Sequence, residues 1–354
     1  MNKYQEYIVK GEKVFVGLED SKRSWKICAR SNGNIISETS MPAEYVILHS
    51  FFQNKFPECQ IKVIYEAGFS GFWLHDRLVK DGIECVVTPP NKVTEQKANK
   101  VKTDKVDARR LALVLENNDY SACNIPDQER REDRQISRTL NQIQRNIIET
   151  KNHIRRMFDF HGIESGRNER FWTDEKYLAL KTLEMSKTLK GCLNIYLDLL
   201  KRLLAYRDLL EKRLTALTEK PSYQKACACL KSAPGIGPLT AIRLTLEWGT
   251  NLNRFSSSKE FASFTGLTCS EYSTGEKVRK GHITAQSNPY VRSWLIQCAW
   301  RAYTKDPVLY KKFRAVQTNS GSKKKAIVAV ARKIAVRLRR LVISEHPYQL
   351  GLLS

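Results

Sequence analysis

Short apolar stretches alternate with helical patterns over the first third of the chain. Residues 13–18 alternate apolar and polar side chains, and two further strands are predicted at 25–30 and 34–38, joined by a turn at 31–34. The segments at 61–65 and 83–87 are short and mostly apolar, which is typical of buried strands, whereas 43–56 and 71–81 have helical spacing. A β-meander followed by βαβ units predicts an α/β domain, which we place at residues 12–125.

The middle of the chain has the pattern of two long helices. Apolar residues spaced four and three apart run through 136–157, with Thr150 at the one polar position, and again through 189–217, with Arg207 as an interruption. Such seams predict a long helical hairpin or an intermolecular coiled coil at residues 126–220. An intramolecular spacer and an oligomerisation element are both open; we favour oligomerisation because the polar faces look solvated and no third helix follows nearby.

Residues 221–345 predict a mostly helical, basic domain. The run Pro-Gly-Ile-Gly-Pro at 234–238 precedes a helical stretch at 239–248 and resembles a helix–hairpin–helix turn, whose amides can cradle a phosphate. The alternative is a simple connecting turn. An amphipathic basic helix at 323–340 either packs through its Ile/Val face or binds nucleic acid. Five tryptophans are expected in hydrophobic cores: Trp25, Trp172, Trp248, Trp294 and Trp300.

The net charge limits the possible functions of the protein more than its length does. The 354 residues include 60 Lys and Arg against 37 Asp and Glu, a formal net charge of +23. This excess predicts a polyanionic partner, DNA or RNA. Because 42% of the residues are hydrophobic, a wholly disordered basic tail is excluded. No apolar run approaches the roughly 18–20 residues of a membrane span, and the polar N-terminus lacks a secretion signal, so we expect a cytoplasmic protein with no membrane partner.

The nine cysteines do not have the spacing of a metal site. They are scattered, without CxxC pairs or Cys/His ligand spacing, and the one close pair, Cys227 and Cys229, is too close for a paired zinc knuckle. We therefore expect reduced thiols and no structural zinc, in keeping with a cytoplasmic location.

Four carboxylates fall where an α/β sheet would place a metal site. Glu19 and Glu66 follow predicted strands, and sites in open α/β sheets lie outside the carboxyl ends of strands. Asp104 and Asp107 are three residues apart, so on a helix they share one face. Hard oxygen ligands suit Mg²⁺ or Mn²⁺. Two such ions would stabilise the attacking and the leaving oxygen when a phosphodiester bond is displaced. The alternative is that each is an ordinary surface carboxylate, although the basic residues around Asp104 and Asp107 suit a site that faces phosphates.

Motifs around these carboxylates resemble a known family. The segments at 17–22, 65–68 and 102–109 (the last Lys-Thr-Asp-Lys-Val-Asp-Ala-Arg) look like the DEDD catalytic motifs of insertion-sequence transposases related to the Piv DNA invertase. The segments at 234–237, 264–267 and 271–284 resemble the second, transposase domain of that family. The resemblance covers roughly residues 13–340, in the family's order.

The resemblance implies a fold and a chemistry. The first domain would be RuvC-like, with an RNase H-type fold, and the four carboxylates would bind Mg²⁺ or Mn²⁺. A serine of the C-terminal domain would attack the DNA backbone and form a covalent protein–DNA link. The family's serine falls at Thr274, immediately before the motif glycine, with Ser273 next to it, so both are candidate nucleophiles. The family's first carboxylate is usually Asp, whereas Glu19 stands here with Asp20 beside it.

The resemblance also implies partners. These are donor and target DNA, a structured non-coding guide RNA, and further copies of the chain, assembled by the coiled coil from dimer to tetramer. We expect the protein to be prokaryotic and nucleoid-associated when active. Runner-up functions are a RuvC-like metal-dependent nuclease or junction resolvase, and an inactive nucleic-acid-binding derivative. The residues expected to contact nucleic acid are Lys102, Arg109, Gly235, Gly237, Lys277, Arg279, Lys280 and Arg292.

Overall fold

The computed structural model describes residues 10–90, 104–164, 172, 174–271, 280–284 and 287–351. The chain divides into two compact units, Met1–Ile125 and Pro126–Ser354. Within the described residues, no helix is both long enough and apolar enough to cross a bilayer.

The first unit is built on a mixed five-stranded sheet. In space the strand order is β3-β2-β1-β4-β5; β2 runs antiparallel to its neighbours β1 and β3, and β1, β4 and β5 are parallel. This sheet confirms the predicted α/β class, and every predicted strand is present. Their bounds are β1 Lys13–Asp20, β2 Ser24–Ser31, β3 Asn34–Pro42, β4 Gln60–Glu66 and β5 Glu84–Thr88.

Side-chain alternation gives this sheet two different apolar faces. One face carries Val16 and Leu18 and packs against α1 (Tyr45–Lys55) and α2 (Trp73–Lys80). The other face carries Phe15 and Ile64 and packs against α3 (Asp104–Glu116) through Leu111. The period of two along each strand therefore decides which residues lie under α3.

The two long helices of the second unit pack against each other within one chain. Ile154 of α4 (Gln128–Phe160) clusters with Leu193 of α6 (Lys187–Ala216), and Ile147 clusters with Leu200. Since earlier residues of α4 meet later residues of α6, the pair is an antiparallel hairpin, and the predicted seams face each other. Thr150 is buried at the polar position, where its hydroxyl donates to the Asn146 carbonyl over 2.8 Å. The short α5 (Asp174–Thr182) lies between them in the chain.

The remaining elements share one hydrophobic core with the ends of the long helices. Leu140 of α4 and Leu214 of α6 belong to the same cluster as Ile242 and Ile334. The elements of this region are α7 Pro221–Lys231, α8 Pro238–Trp248, α9 Ser258–Phe264, β6 Cys269–Glu271, β7 Lys280–Ile283, α10 Pro289–Ala302, α11 Pro307–Ser320 and α12 Lys323–Ser344.

The basic tail helix α12 is packed through its apolar face. Ile327, Val330 and Ile334 are buried in the core. Arg337 is also buried, and its guanidinium donates to the carboxylate of Asp306 over 2.8 Å. The sequence left open whether this helix packs through its Ile/Val face or binds nucleic acid, and the structure shows the packed face. The basic side chains at the start of α12 are exposed.

Candidate active site and nucleic-acid contacts

The position of α3 over the sheet depends on Gly17. A Cβ at Gly17 would lie 2.1 Å from the carbonyl oxygen of Ala108 and 2.3 Å from the amide nitrogen of Ala112, so the helix backbone crosses β1 directly above this residue. Glu19 is two residues further along β1 and therefore faces α3 as well. The first turn of α3 contains Asp104 and Asp107, so the helix presents these two carboxylates near the carboxyl end of β1.

Glu66 joins this group from the neighbouring strand. Leu18 of β1 pairs with Tyr65 of β4, which places Glu19 and Glu66 one step beyond, at the same edge of the sheet. Ile64 packs beneath α3, and Glu66, two residues later, faces the same way. The structure thus brings the carboxylates predicted from the sequence to one edge of the sheet.

The neighbouring carboxylates contribute to the electrostatics of Glu19. Burial and, to a smaller extent, the negative charges of Glu66, Asp107, Asp20 and Asp104 together raise the pKa of Glu19 to about 7. Among the described residues, no three His, Cys, Asp or Glu side chains converge tightly enough to hold a metal ion. The donor set nevertheless fits a hard divalent cation, because it consists of carboxylates whose mutual repulsion a bound cation would relieve.

Asp20 has a different task from Glu19. Its carboxylate accepts a hydrogen bond from the Ser70 amide over 2.6 Å, which ties the end of β1 to the loop after β4. It lies one residue away from Glu19 and so belongs to the other side of the strand. This arrangement supports Glu19, not Asp20, as the carboxylate of β1 that faces Asp104 and Asp107.

Basic residues near this edge are partly occupied by internal ion pairs. Arg109 donates to both carboxylate oxygens of Glu38, over 2.7 Å to Oε2, and Lys105 lies 4.0 Å from the same group. Arg109 is half-exposed, so it can contact a phosphate only by sharing its guanidinium with Glu38. Lys102 lies outside the described residues.

The candidate nucleophiles belong to the connection of a β-hairpin. Ser273, Thr274, Lys277 and Arg279 lie outside the described residues, as does the side chain of Lys280. The strands on either side, β6 and β7, are antiparallel, with Cys269 opposite Ile283 and Glu271 opposite Lys280. The connection therefore starts and ends at neighbouring points.

Arg292 anchors the base of this hairpin. Its Nη1 donates to the carbonyl oxygens of Thr284, over 3.0 Å, and Gly266, over 3.5 Å. These bonds link α10 to the segments on both sides of the hairpin. Arg292 was expected to contact nucleic acid, and its backbone partners give it at least a structural function.

The Gly-Ile-Gly turn borders an open groove. Gly235 has a φ of +81°, and a Cβ there would lie 2.8 Å from the carbonyl oxygen of Cys298, so α10 approaches the turn closely. Gly237 has open space around it and precedes the first residue of α8, with no side chain capping its N-terminus. The groove is lined by Gly235, Ile236, Gly237, Trp300, Arg301, Thr304 and Lys305.

Trp300 was expected in the core, and this prediction is wrong. The side chain is 43% exposed and forms one wall of the groove. Its ring is held edge-on by Tyr303 and Phe313, with centroids 5.9 and 6.1 Å away. Sequence reasoning also missed Arg301, near the end of α10, and Lys305, in the loop that follows, because a single cation in a strongly basic chain carries no signal of its own.

Comparison with known proteins assigns the family. A profile described as "Transposase" of the DEDD type matches residues 16–163, which include the carboxylate cluster, and one described as "Transposase IS116/IS110/IS902 family" matches residues 227–314. The chain belongs to the IS110/IS116 family of transposases. It is therefore a DNA transposase of an insertion sequence, as the sequence motifs predicted, and its DEDD domain implies dependence on a divalent metal.

Relatives extend this similarity along the whole chain. The transposase for insertion sequence element IS1533 of Leptospira borgpetersenii is 23% identical over 97% of this chain and 99% of its own length. A protein of Sinorhizobium fredii named as a transposase, y4rJ, is 28% identical over 93% of this chain and 91% of its own length. The transposase for IS1111A of Coxiella burnetii is 28% identical over 56% of this chain and 55% of its own length.

Proposed function

We propose that this transposase cuts and rejoins DNA through a hydroxyl-linked covalent protein–DNA intermediate. Glu19, Glu66, Asp104 and Asp107 would hold Mg²⁺ or Mn²⁺. The observation that carries the metal part is the placement of these carboxylates at one edge of the sheet by β1, β4 and the first turn of α3. The raised pKa of Glu19, caused by burial and by the neighbouring carboxylates, agrees with that placement. The strand order of the first unit, with β2 antiparallel to the other strands, supports an RNase H-type, RuvC-like fold.

The chemical step exchanges one phosphate ester for another. The hydroxyl oxygen of Ser273 or Thr274 attacks the phosphorus, and a new P–O bond forms as the bond to the DNA 3′-oxygen breaks. The proton lost by the hydroxyl is balanced by the proton gained by the leaving 3′-oxygen. When bound, the metal stabilises negative charge on the phosphate oxygens. Rejoining is the reverse attack by a 3′-hydroxyl, which releases the protein.

The groove beside Gly235 supports contact with nucleic acid. Arg301 and Lys305 are exposed on one side of it, and neither forms an ion pair with a carboxylate among the described residues. Cations of this kind bind phosphates, and the exposed face of Trp300 offers a surface on which an unpaired base stacks. We propose that donor DNA, target DNA or a structured guide RNA occupies this groove. Base pairing with the guide would then supply sequence recognition, with the protein contacting backbones.

A second apolar stripe on α6 supports self-association. Ile195, Leu199, Tyr206 and Leu209 are large and exposed, and they lie four, seven and three residues apart along the helix. This spacing keeps them on one face, separate from the seam that packs on α4. We propose that the stripe joins copies of the chain into a dimer or tetramer, the assembly that acts on DNA in the cytoplasm.

A trapping experiment tests the covalent step. Protein, cognate DNA, guide RNA and Mg²⁺ are mixed, and the adduct is detected on a denaturing gel. We expect an adduct that is lost in either Ser273→Ala or Thr274→Ala, and in Asp107→Asn. Metal-dependent cleavage that persists in both hydroxyl variants would favour the nuclease or resolvase. No cleavage with any divalent metal would favour an inactive binding protein.

A further inference from the structure

Thr88 is buried and is the cross-strand neighbour of Glu66, the β4 carboxylate of the proposed metal site. It is the last residue of β5 and pairs with Glu66, the last residue of β4. Ile64 and Val86, two residues earlier on each strand, pack beneath α3 in one cluster. Glu66 and Thr88 therefore share the face of the sheet that α3 covers.

The hydroxyl of Thr88 has an unusual environment. The residue is 0% exposed, and its Oγ1 finds no hydrogen-bond partner among the residues that the structure describes. A buried hydroxyl without a partner is unfavourable, whereas valine has nearly the same shape and would avoid this cost. The polar atom at this position therefore calls for a partner beyond those that the described residues provide.

The backbone fixes where this hydroxyl can reach. The carbonyl oxygen of Thr88 accepts a hydrogen bond from the Ala67 amide over 2.8 Å, so the ends of β4 and β5 are joined next to Glu66. A β-branched side chain has few rotamers on a strand. Rotation about its first side-chain bond therefore offers the hydroxyl only a few directions, from a position next to Glu66 on the neighbouring strand.

We propose that Thr88 is a positioning residue for Glu66. When Glu66 turns one carboxylate oxygen to the metal, the Thr88 hydroxyl donates to the other oxygen and holds the carboxylate in its ligating orientation. Carboxylates that bind metals are commonly oriented by such outer hydrogen bonds. This inference rests on the proposed metal site, and it assigns to Thr88 an effect on metal affinity.

Two substitutions at one position test the proposal. Thr88→Val removes the hydroxyl and keeps the shape, whereas Thr88→Ser keeps the hydroxyl. Mn²⁺ affinity is measured by calorimetric titration of the full chain, with Glu66→Gln defining the signal of this site. We expect Thr88→Val to weaken Mn²⁺ binding by about tenfold, and Thr88→Ser to stay near the parent value. Equal affinity of Thr88→Val and the parent would overturn the proposal.

Stability without metal gives a second, independent readout. Because the hydroxyl has no described partner, Thr88→Val is expected to leave the metal-free unfolding temperature unchanged or to raise it. The control is Thr265→Val, since Thr265 is also fully buried but its hydroxyl donates to the Ala262 carbonyl over 3.0 Å. This control should lower the unfolding temperature and leave Mn²⁺ affinity unchanged.

The remaining outcomes separate this inference from the proposed function. A clear loss of metal-free stability in Thr88→Val would show that the hydroxyl already has a structural partner, which overturns the positioning role alone. If the parent chain binds Mn²⁺ and Thr88→Val binds it equally well, the metal site stands without Thr88. If the parent chain binds no divalent cation, the metal site and the function of Thr88 both fail.

Discussion

Gly17 and Ala108 bring the backbones of β1 and α3 into direct contact. A Cβ at Gly17 would lie 2.1 Å from the Ala108 carbonyl oxygen, well inside the sum of the van der Waals radii. Ala108 follows Asp107 immediately, and Glu19 follows Gly17 by two residues. A single glycine therefore sets the spacing between carboxylates that come from a strand and from a helix.

Gly17→Ala is expected to lower both stability and activity. The obstructing atoms belong to the backbone, so α3 must move away from the sheet, at a cost of about 1–3 kcal/mol. That movement also shifts Asp104 and Asp107 relative to Glu19. We expect weaker Mn²⁺ binding and loss of DNA cleavage, measured by titration, urea unfolding and the adduct assay.

Gly191→Ala is the matched control for this substitution. Gly191 lies within α6, and a Cβ there would meet nothing within 4 Å. Alanine should raise helix stability by up to about 1 kcal/mol. Cleavage should be unchanged. If Gly17→Ala cleaves DNA like the parent, the close packing of α3 on β1 is not required to assemble the site.

The elements of the first unit could be predicted because local patterns decide them. Alternation along β1 marks its two faces before any partner is known, and the carboxylates at strand ends follow from the topology. The contact between Gly17 and Ala108 could not be predicted, since it joins residues 91 positions apart in sequence without a charge or apolar signal. The ion pair between Arg109 and Glu38 is equally non-local, and it changes what Arg109 can do.

The second unit shows a different limit of prediction from sequence. The seams of α4 and α6 were visible in the sequence, but the pattern does not say whether a seam meets its own chain or another copy. The burial of Trp300 was predicted wrongly because tryptophan side chains are, on average, largely buried. Only the packing of Tyr303 and Phe313 against the ring shows that one of its faces is left open.

The groove beside the Gly-Ile-Gly turn can be tested by charge reversal. Arg301→Glu and Lys305→Glu are expected to weaken binding of a single-stranded oligonucleotide, and each should reduce the salt dependence by about one phosphate contact. Trp300→Ala should cost a further 1–3 kcal/mol or so of binding, most of which Trp300→Phe retains. Fluorescence anisotropy over a salt series measures both effects.

Lys311→Glu is the charge-matched control for the groove. It makes the same change of charge at an exposed position of α11 outside the groove. If Lys311→Glu weakens binding as much as Lys305→Glu at every salt concentration, the effect belongs to the overall charge and not to the groove.

The exposed stripe on α6 predicts an oligomer that charge can dissociate. Leu199→Lys and Tyr206→Lys place like charges on a face that would meet its own copy, so the mass measured by light scattering should fall. The controls are Ile148→Lys and Phe160→Lys, which charge exposed apolar positions of α4 instead. An unchanged mass in Leu199→Lys and Tyr206→Lys would assign the stripe no part in assembly.

Asp306 and Arg337 predict an acid-sensitive core in the second unit. Asp306 is 0% and Arg337 5% exposed, and the Asp306 carboxylate also accepts from the Tyr348 hydroxyl over 2.5 Å and the amides of Val308 and Leu309. Burial acts to raise the pKa of Asp306. The hydrogen bonds from Tyr348 and the two amides, together with the charge of Arg337, outweigh it and hold the pKa below its ordinary value.

Asp306→Asn tests the charge while keeping the helix cap, because an asparagine oxygen can still accept from both amides. The free energy of unfolding at pH 7 should fall by about 3–5 kcal/mol, since Arg337 is left buried without its charged partner. A lowered folded-state pKa stabilises the protein above the unfolded-state value of about 3.9, and this stability is lost as pH falls through the folded-state value. The difference between parent and variant in urea unfolding should therefore shrink in acid.

In contrast, Asp198→Asn, which removes an exposed pair with Arg202, should change stability by less than about 1 kcal/mol at any pH. A difference for Asp306→Asn that stays constant into acid would contradict the assignment of its stability to the carboxylate charge.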